Sequence, residues 1–111
     1  MSGSNQPLVS VIMNCYNAEL YLKEAIDSIY AQTYSNWELI FWDNCSTDRS
    51  TQILKEFSDK RIKYFYSKKY TKLYAARNLA LKKAKGHFIS FLDTDDTWHK
   101  NKLKKQVELF Y

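Results

Sequence analysis

The chain alternates four times between a short apolar or aromatic run and a longer segment whose apolar residues are spaced for a helix. The short runs are predicted strands. The first, Leu8–Met13, is nearly continuous in apolar and β-branched residues, as expected for a parallel strand that is covered on both faces. The other predicted strands are Trp37–Trp42, Ile62–Tyr66 and His87–Leu92. This alternation predicts an α/β fold: a Rossmann-like, mainly parallel sheet of four strands, with helices on both faces.

A predicted helix follows each strand. The first begins after Asn17, which is a suitable N-cap, and its inner face carries Leu22, Ala25, Ile26 and Ile29. The third is predicted to end near Lys85, with Gly86 as its C-terminal cap. The four helices are predicted at residues 18 to about 30, after the turn 44–48 to about 57, after a loop containing residues 68–70 to about 85, and 98–111.

The composition limits the class of protein. With 111 residues the chain is one domain or part of one, and no apolar run approaches the roughly 20 residues of a membrane-spanning helix. Residues 1–6 are predicted to be a disordered tail or a remnant of cloning, and residues 7–111 to form the domain. Cys15 and Cys45 have neither metal-ligand spacing nor a paired framework, which predicts a reducing, cytoplasmic setting.

The net charge of +5 predicts an anionic partner such as a nucleotide, a nucleic acid or an acidic membrane surface. The stretch from Lys60 to Tyr74 mixes basic and aromatic residues, so a nucleic-acid-binding module is the alternative function. A second basic cluster near the end of the chain is better explained as a solvated helix face. The two clusters are Lys60, Arg61, Lys63, Lys68, Lys69 and Lys72, and then Lys100, Lys102, Lys104 and Lys105.

Three carboxylates directly follow the last predicted strand, in the sequence Asp93-Thr94-Asp95-Asp96. Clustered carboxylates repel one another unless something positive lies among them. Hard divalent cations such as Mg²⁺ and Mn²⁺ bind such oxygens, often together with substrate phosphates. The alternative is a solvated acidic turn that caps the next helix.

Polar side chains also follow the first two strands, at Asn14, Tyr16 and Asp43. Because parallel sheets bind ligands beyond the carboxyl ends of their strands, these residues are predicted to meet the acidic cluster at one edge. Tyr16 offers a face on which a base could stack, or it is a core aromatic residue. Asp43 could accept hydrogen bonds from a base or a ribose, or it forms a turn.

The two glycines, Gly3 and Gly86, do not open a helix after a strand. A glycine-rich loop that holds phosphate on backbone N–H groups is therefore absent. The charge of a bound diphosphate would have to be met by a metal at the acidic cluster and by basic side chains such as Arg77.

Taken in order, these motifs resemble the N-terminal, nucleotide-binding half of a family 2 inverting glycosyltransferase with the GT-A fold. The resemblance covers residues 7 to 110. The matching segments are Val9–Asn17, Ala25–Ile29 with Gln32–Tyr34, Glu38–Ile40 through Asp43, Ser46–Asp48, Ala75–Asn78, and Gly86–Asp96 followed by Trp98, Leu103 and Gln106.

The resemblance implies roles for individual residues. Tyr16 and Asp43 would contact the base, usually the uracil of a UDP-sugar, and Asn14 would line that pocket. Arg77 would lie near the nucleotide or the sugar. In the acidic motif, Asp95 would bind the ribose or the metal, and the metal ligands, for Mn²⁺ or Mg²⁺, would be Asp96 first, with Asp95 and Asp93.

The resemblance also implies partners: a nucleotide-sugar donor and a glycan or lipid-linked acceptor, as in polysaccharide biosynthesis of the cell envelope, and no nucleic acid. Peripheral association with the inner membrane face is compatible with the positive charge. The general base, an Asp or Glu in this family, is expected beyond Tyr111, so this chain alone is expected to bind UDP weakly and to transfer sugar poorly.

Two departures affect the predicted pocket. Asn14 stands where the family often has proline, and Asn44-Cys45 stand where it often has Asp-Gly. A cysteine in the usual glycine place brings the geometry of that turn into question.

Overall fold

The structure, a computed structural model, describes residues 6–110. Apart from Gln6, the predicted tail lies outside the described residues. The four strands are β1 (Val9–Cys15), β2 (Trp37–Asp43), β3 (Ile62–Tyr66) and β4 (Phe88–Phe91). They form one sheet in the order β3-β2-β1-β4, and every pairing is parallel. The predicted α/β architecture is confirmed.

The helices are α1 (Leu22–Tyr30), α2 (Ser50–Lys55), α3 (Leu73–Leu81) and α4 (Lys102–Phe110). Each is shorter than the sequence pattern predicted, because residues 19–21, 56, 82–83 and 100–101 form turns at the helix ends. Among the described residues, none of the helices is long and apolar enough to cross a membrane.

Side-chain alternation along the strands divides the core into two layers. Val9, Val11 and Met13 of β1 pack on the face covered by α1, α2 and α4. Ile12 and Ile40 point to the opposite face, where they meet Ala80 of α3. The predicted inner face of α1 is confirmed, since Leu22, Ala25, Ile26 and Ile29 are all buried.

The prediction that Asn17 caps α1 is wrong. The helix begins five residues later, at Leu22, and Tyr21 precedes it without a side-chain capping bond. Asn17 instead adopts a left-handed backbone with φ of 50°. Its Oδ1 accepts hydrogen bonds from the main-chain N of Thr47, at 2.8 Å, and of Asp48, at 3.3 Å. A short polar side chain tolerates this backbone, and the residue joins the loop after β1 to the loop after β2.

The prediction that Gly86 caps α3 is also wrong. The helix ends at Leu81, its C-cap Lys82 has right-handed backbone, and Gly86 has no positive φ. Glycine is required here for space, because a Cβ would lie 2.6 Å from Ser10 Oγ, 2.7 Å from Ser10 N and 2.8 Å from Leu8 O. Gly86 therefore permits the close approach of the chain to β1 just before β4 begins.

Candidate functional site

The acidic cluster lies in the turn after β4. One carboxylate oxygen from each of Asp93, Asp95 and Asp96 lies within 4.8 Å of the others, and all three residues are exposed. The main-chain N of Asp96 donates to the carbonyl of Asp93 at 3.1 Å, which closes the turn. The donor set is entirely oxygen, and this fits a hard cation such as Mg²⁺ or Mn²⁺ rather than a soft one.

Arg77 on α3 reaches the same cluster. Its Nη2 lies 3.5 Å from Asp93 Oδ1, and both side chains are about half exposed. Its guanidinium carbon lies 5.5 Å from the ring centre of Phe91 in β4. An exposed pair of this kind adds little stability. The pair matters because it places the guanidinium of Arg77 beside the carboxylates. A diphosphate bound there would need such a positive group.

Asp43, at the end of β2, is completely buried. Its Oδ1 accepts from the main-chain N of Ser46 at 2.9 Å, and its Oδ2 accepts from Thr51 Oγ1 at 2.5 Å and from the hydroxyl of Tyr64 at 3.4 Å. Burial raises the pKa of Tyr64, and the negative charge of Asp43 raises it further. The carboxylate of Asp43 thus stabilises the turn after β2 through hydrogen bonds within the chain.

Tyr16 is not a core aromatic residue, since it is 51% exposed. Its ring meets that of Tyr70 edge to face, with the ring centres 4.7 Å apart. Tyr70 lies in the loop between β3 and α3 and is 58% exposed. Two accessible aromatic rings from distant parts of the chain therefore stand together beyond the sheet, and sequence reasoning found only the first of them.

Asn14 lies on a different face of the sheet from Asp43. By strand alternation it shares the α3 face with Ile12, whereas Asp43 shares the opposite face with Phe41. Asn14 pairs in register with Trp42. Within the part of the chain that the structure describes, Asn14 Nδ2 and Trp42 Nε1 are buried donors without a hydrogen-bond partner. Such donors are costly to leave unpaired, so the end of β1 retains unused hydrogen-bonding capacity.

Sequence reasoning missed the role of Asn44, which is buried beside Asp43. Its Nδ2 donates to the carbonyl of Thr71 at 2.7 Å, and its Oδ1 accepts from the main-chain N of Thr71 at 3.0 Å. These bonds fix the loop that carries Tyr70. The only local signal was an amide directly after a strand, which is too common to identify a partner 27 residues away.

Cys45 adopts the backbone that glycine would provide, with φ of 67°. Its Sγ donates to the carbonyl of Lys68 at 3.4 Å, so it also contacts the loop after β3. A cysteine therefore adopts a left-handed backbone in this turn. The other cysteine, Cys15, is buried, and burial raises the pKa of its thiol. A thiol held in its neutral form is a packing group rather than a nucleophile or a metal ligand.

Comparisons with known proteins concern nearly the whole chain. The family described as "Glycosyl transferase family 2" matches residues 10–111. The chain is 47% identical over 102 residues to the UDP-Glc:alpha-D-GlcNAc-diphosphoundecaprenol beta-1,3-glucosyltransferase WfgD of Escherichia coli, an alignment that covers 92% of this chain and 40% of that protein. The chain spans about two fifths of the length of WfgD and of a Bacillus subtilis relative, and about one sixth of the length of a longer relative from Rickettsia conorii.

Solved structures agree with the sequence comparison. TarS residues 1–349 of S. aureus, in complex with UDP, superpose with a TM-score of 0.87 at 33% identity, covering 92% of this chain and 31% of that one. The mannosyltransferase PcManGT of Pyrobaculum calidifontis, in complex with GDP-Man and Mn²⁺, gives a TM-score of 0.79 at 25% identity, covering 87% of this chain and 30% of that one.

Proposed function

This chain belongs to glycosyltransferase family 2, and we propose that it is the donor-binding part of an enzyme that transfers a sugar from a UDP-sugar to a glycan or lipid-linked acceptor, with inversion. The observation that carries the proposal is the convergence of three carboxylates and Arg77 beyond β4. A relative whose name gives a UDP-glucose donor and a diphosphoundecaprenol acceptor, and a structural neighbour in complex with UDP, support the choice of donor and acceptor class.

We assign the metal to Asp96, Asp95 and Asp93, with Mn²⁺ or Mg²⁺ as the cation. The all-oxygen donor set supports this assignment, and one structural neighbour is a complex with Mn²⁺. When bound, the cation would offset the negative charge that builds on the departing nucleoside diphosphate. Asp93 is shared with Arg77, so Asp95 and Asp96 are the freer ligands.

The remaining residues bind and orient the donor in this proposal. Tyr16 stacks on the base, and its exposed ring is available for that contact. Asp43 holds the turn beside the base through its bond from the main-chain N of Ser46. Because its carboxylate is buried, the surrounding loop would have to open slightly before the carboxylate could accept a hydrogen bond from the base. Asn14 supplies a buried N–H group that still lacks an acceptor. Arg77 attracts the diphosphate by its positive charge.

Transfer breaks the bond between the anomeric carbon and the diphosphate oxygen and forms one to an acceptor hydroxyl. Attack on the face opposite the diphosphate inverts the anomeric centre, and the hydroxyl proton passes to a general base. We expect that base beyond Tyr111. The cytoplasmic setting of the reaction stays a prediction from the unpaired cysteines.

Replacing Asp96 by Asn tests the proposal. Calorimetric titration of the wild-type chain with UDP should show binding that Mn²⁺ strengthens, and Asp96→Asn should remove the strengthening while leaving the fold intact, because Asp96 is exposed in a turn. Glu108→Gln, which neutralises an exposed carboxylate on α4, is the matched control and should bind as the wild type does. Mn²⁺-enhanced binding that survives in Asp96→Asn would remove this residue from the ligand set.

A wild-type chain that binds no nucleoside diphosphate, with or without Mn²⁺, would contradict the donor assignment as a whole. The same titration with an oligonucleotide distinguishes a glycosyltransferase from the alternative, a nucleic-acid-binding module. Strong, salt-dependent oligonucleotide binding without metal-dependent UDP binding would favour a nucleic-acid-binding module.

A further inference from the structure

A groove of about 380 Å³ on the α3 face of the sheet is lined by lysines from two separate parts of the chain. Lys63 comes from β3, the strand at one edge of the sheet. Lys82, Lys83 and Lys85 come from the segment between α3 and β4. The other lining residues are Glu38, Phe65 and Ala84. We propose that this groove, here called the lysine groove, docks the protein on a membrane surface that carries anionic phospholipids.

The positive charge of the lysine groove is not neutralised by its neighbours. Within residues 6–110, ion pairs form at Lys23, Arg61 and Arg77, and none of the groove lysines takes part in one. All four groove lysines are exposed. Lys63 Nζ donates to the carbonyl of Lys60 at 3.0 Å, and this bond leaves its charge uncompensated.

The one acidic residue of the lysine groove is held away from the lysines. Glu38 is 5% exposed. Its Oε2 accepts from Ser10 Oγ at 2.6 Å and from the main-chain N of Lys85 at 2.7 Å. The carboxylate is thus used to tie β1, β2 and the segment before β4 together. It lies under the lysines as a fixed internal acceptor and cannot swing out to pair with them.

The arrangement of charges in the lysine groove fits an anionic membrane surface better than a single small anion. Its charges are flexible ammonium groups on a rim, without arginine forks or a row of converging backbone N–H groups, and the buried carboxylate of Glu38 would repel an anion at the bottom. Lysines near an anionic bilayer act together, each contributing roughly five-fold to partitioning. Long lysine stems can also cover apolar surface while their heads stay in water.

The aromatic ring in the lysine groove is already occupied, which argues against a nucleic acid. Phe65 stacks on Trp42 with the ring centres 6.1 Å apart, and Lys83 Nζ lies 5.2 Å from the centre of the Phe65 ring. Single-stranded nucleic acids are bound by open aromatic faces on which bases stack. The lysine groove offers charge without such a face.

The lysine groove is separate from the candidate donor site. Glu38 and Lys63 lie in the first halves of β2 and β3, whereas the carboxylate cluster follows the end of β4. A membrane bound at the lysine groove would leave the carboxyl edge of the sheet open. The inference therefore does not depend on which nucleotide the donor site takes.

Co-sedimentation with vesicles tests the inference. The wild-type chain should pellet with vesicles of phosphatidylglycerol and phosphatidylcholine, should stay in solution with vesicles of phosphatidylcholine alone, and should be released by salt. The triple variant Lys82→Gln, Lys83→Gln, Lys85→Gln should lose about 100-fold in partitioning to the anionic vesicles. Each of these side chains is exposed, and thermal melting of the variant should match that of the wild type.

A matched control removes the same charge from the other face of the sheet. Lys100→Gln, Lys104→Gln, Lys105→Gln changes exposed lysines at and before α4, which packs on the face opposite α3. This control should lose far less partitioning. Equal losses in the two triple variants would overturn the inference, because binding would then follow net charge and not the lysine groove.

Two further results would also overturn it. Release from the vesicles by millimolar glycerol 1-phosphate at constant ionic strength would mean that the lysine groove binds one free phosphate group. Binding of an oligonucleotide that is stronger than vesicle binding and is lost in the Lys82, Lys83, Lys85 variant would mean that the partner is a nucleic acid. Nucleotide binding by the same variant, measured with UDP and Mn²⁺, should be unchanged, which separates this inference from the donor site.

Discussion

Single residues at the carboxyl edge divide into those that support the fold and those that are free to meet a ligand. Asp43 is buried and accepts three hydrogen bonds from its own chain, whereas Asp95 and Asp96 are exposed in a turn. In the sequence these carboxylates look alike, because each lies within four residues of the end of a predicted strand. Substitution of the buried Asp43 should therefore change stability, whereas substitution of the exposed Asp95 or Asp96 should change ligand binding with little change in stability.

Replacing Asp43 by Ala should lower the free energy of unfolding by about 2–4 kcal/mol, because the main-chain N of Ser46 and the hydroxyl of Thr51 would lose their acceptor in a buried place. Urea denaturation followed by circular dichroism measures this change. Asp96→Asn, at an exposed turn, should change it by less than about 0.5 kcal/mol. An Asp43→Ala chain as stable as the wild type would show that the buried carboxylate does not support this turn.

At the scale of elements, Arg61 joins the start of β2 to the turn that precedes β3. Its guanidinium lies 3.7 Å from the ring centre of Trp37, its Nη1 donates to the carbonyl of Ser35 at 3.0 Å, and its Nη2 donates to Asp59 Oδ2 at 2.8 Å. The sequence placed Arg61 in a basic cluster for an anionic partner. The structure uses its charge internally, at the entry to β3.

The pair formed by Arg61 and Asp59 predicts a dependence of stability on pH. Hydrogen bonds from Arg61 hold the pKa of Asp59 below its ordinary value of 3.8. Because the folded-state pKa is lowered, the stabilisation is complete above that ordinary value and is lost as the pH falls through the lowered one.

The variant Asp59→Asn should therefore be less stable than the wild type at pH 7, by about 1 kcal/mol. The two proteins should converge as the pH falls from about 4 towards about 2. Chemical denaturation at a series of pH values measures the difference. A difference that stays constant down to the lowest pH would mean that the charge of Asp59 is not what stabilises this turn.

The approach of the chain to β1 before β4 depends on Gly86. Its main-chain N donates to Ser10 Oγ at 2.8 Å, and a Cβ at this position would lie closer than 3.0 Å to main-chain atoms of Ser10 and Leu8. Gly86→Ala should lower the free energy of unfolding by about 1–3 kcal/mol, since backbone atoms would have to shift. Urea denaturation is again the measurement, with Lys85→Ala at the adjacent exposed position as the control. Equal stability of the two variants would contradict the requirement for space.

At the scale of the whole molecule, the proposed function gives the described residues the binding of donor and metal, and it makes none of them the general base. We expect the 111-residue chain to bind UDP weakly in the presence of Mn²⁺ and to transfer sugar from UDP-glucose to a lipid-linked acceptor poorly or not at all. Calorimetry and a radiolabelled transfer assay measure the two properties. Transfer at the rate of a full-length relative would contradict the expectation that the base lies beyond Tyr111.

Much of the fold was predictable because its signals are local. The β3 bounds, the buried face of α1 and the parallel sheet follow from the period of apolar residues over short stretches. Helix ends were predicted less well. Asn17 and Gly86 carry the residue types of caps, but each is used for a contact with a distant segment. A residue type alone does not distinguish these uses.

The sequence by itself determined the order of the elements and the closeness of Asp93, Asp95 and Asp96, since four consecutive residues after a strand cannot lie far apart. Only the tertiary structure decided that Asp43 is internally bonded, that Tyr16 meets Tyr70, and that Lys63 shares a groove with Lys82, Lys83 and Lys85. The physical reason is range: periodicity is set by neighbours along the chain, whereas these contacts depend on strand register and on how helices and loops far apart in sequence pack together.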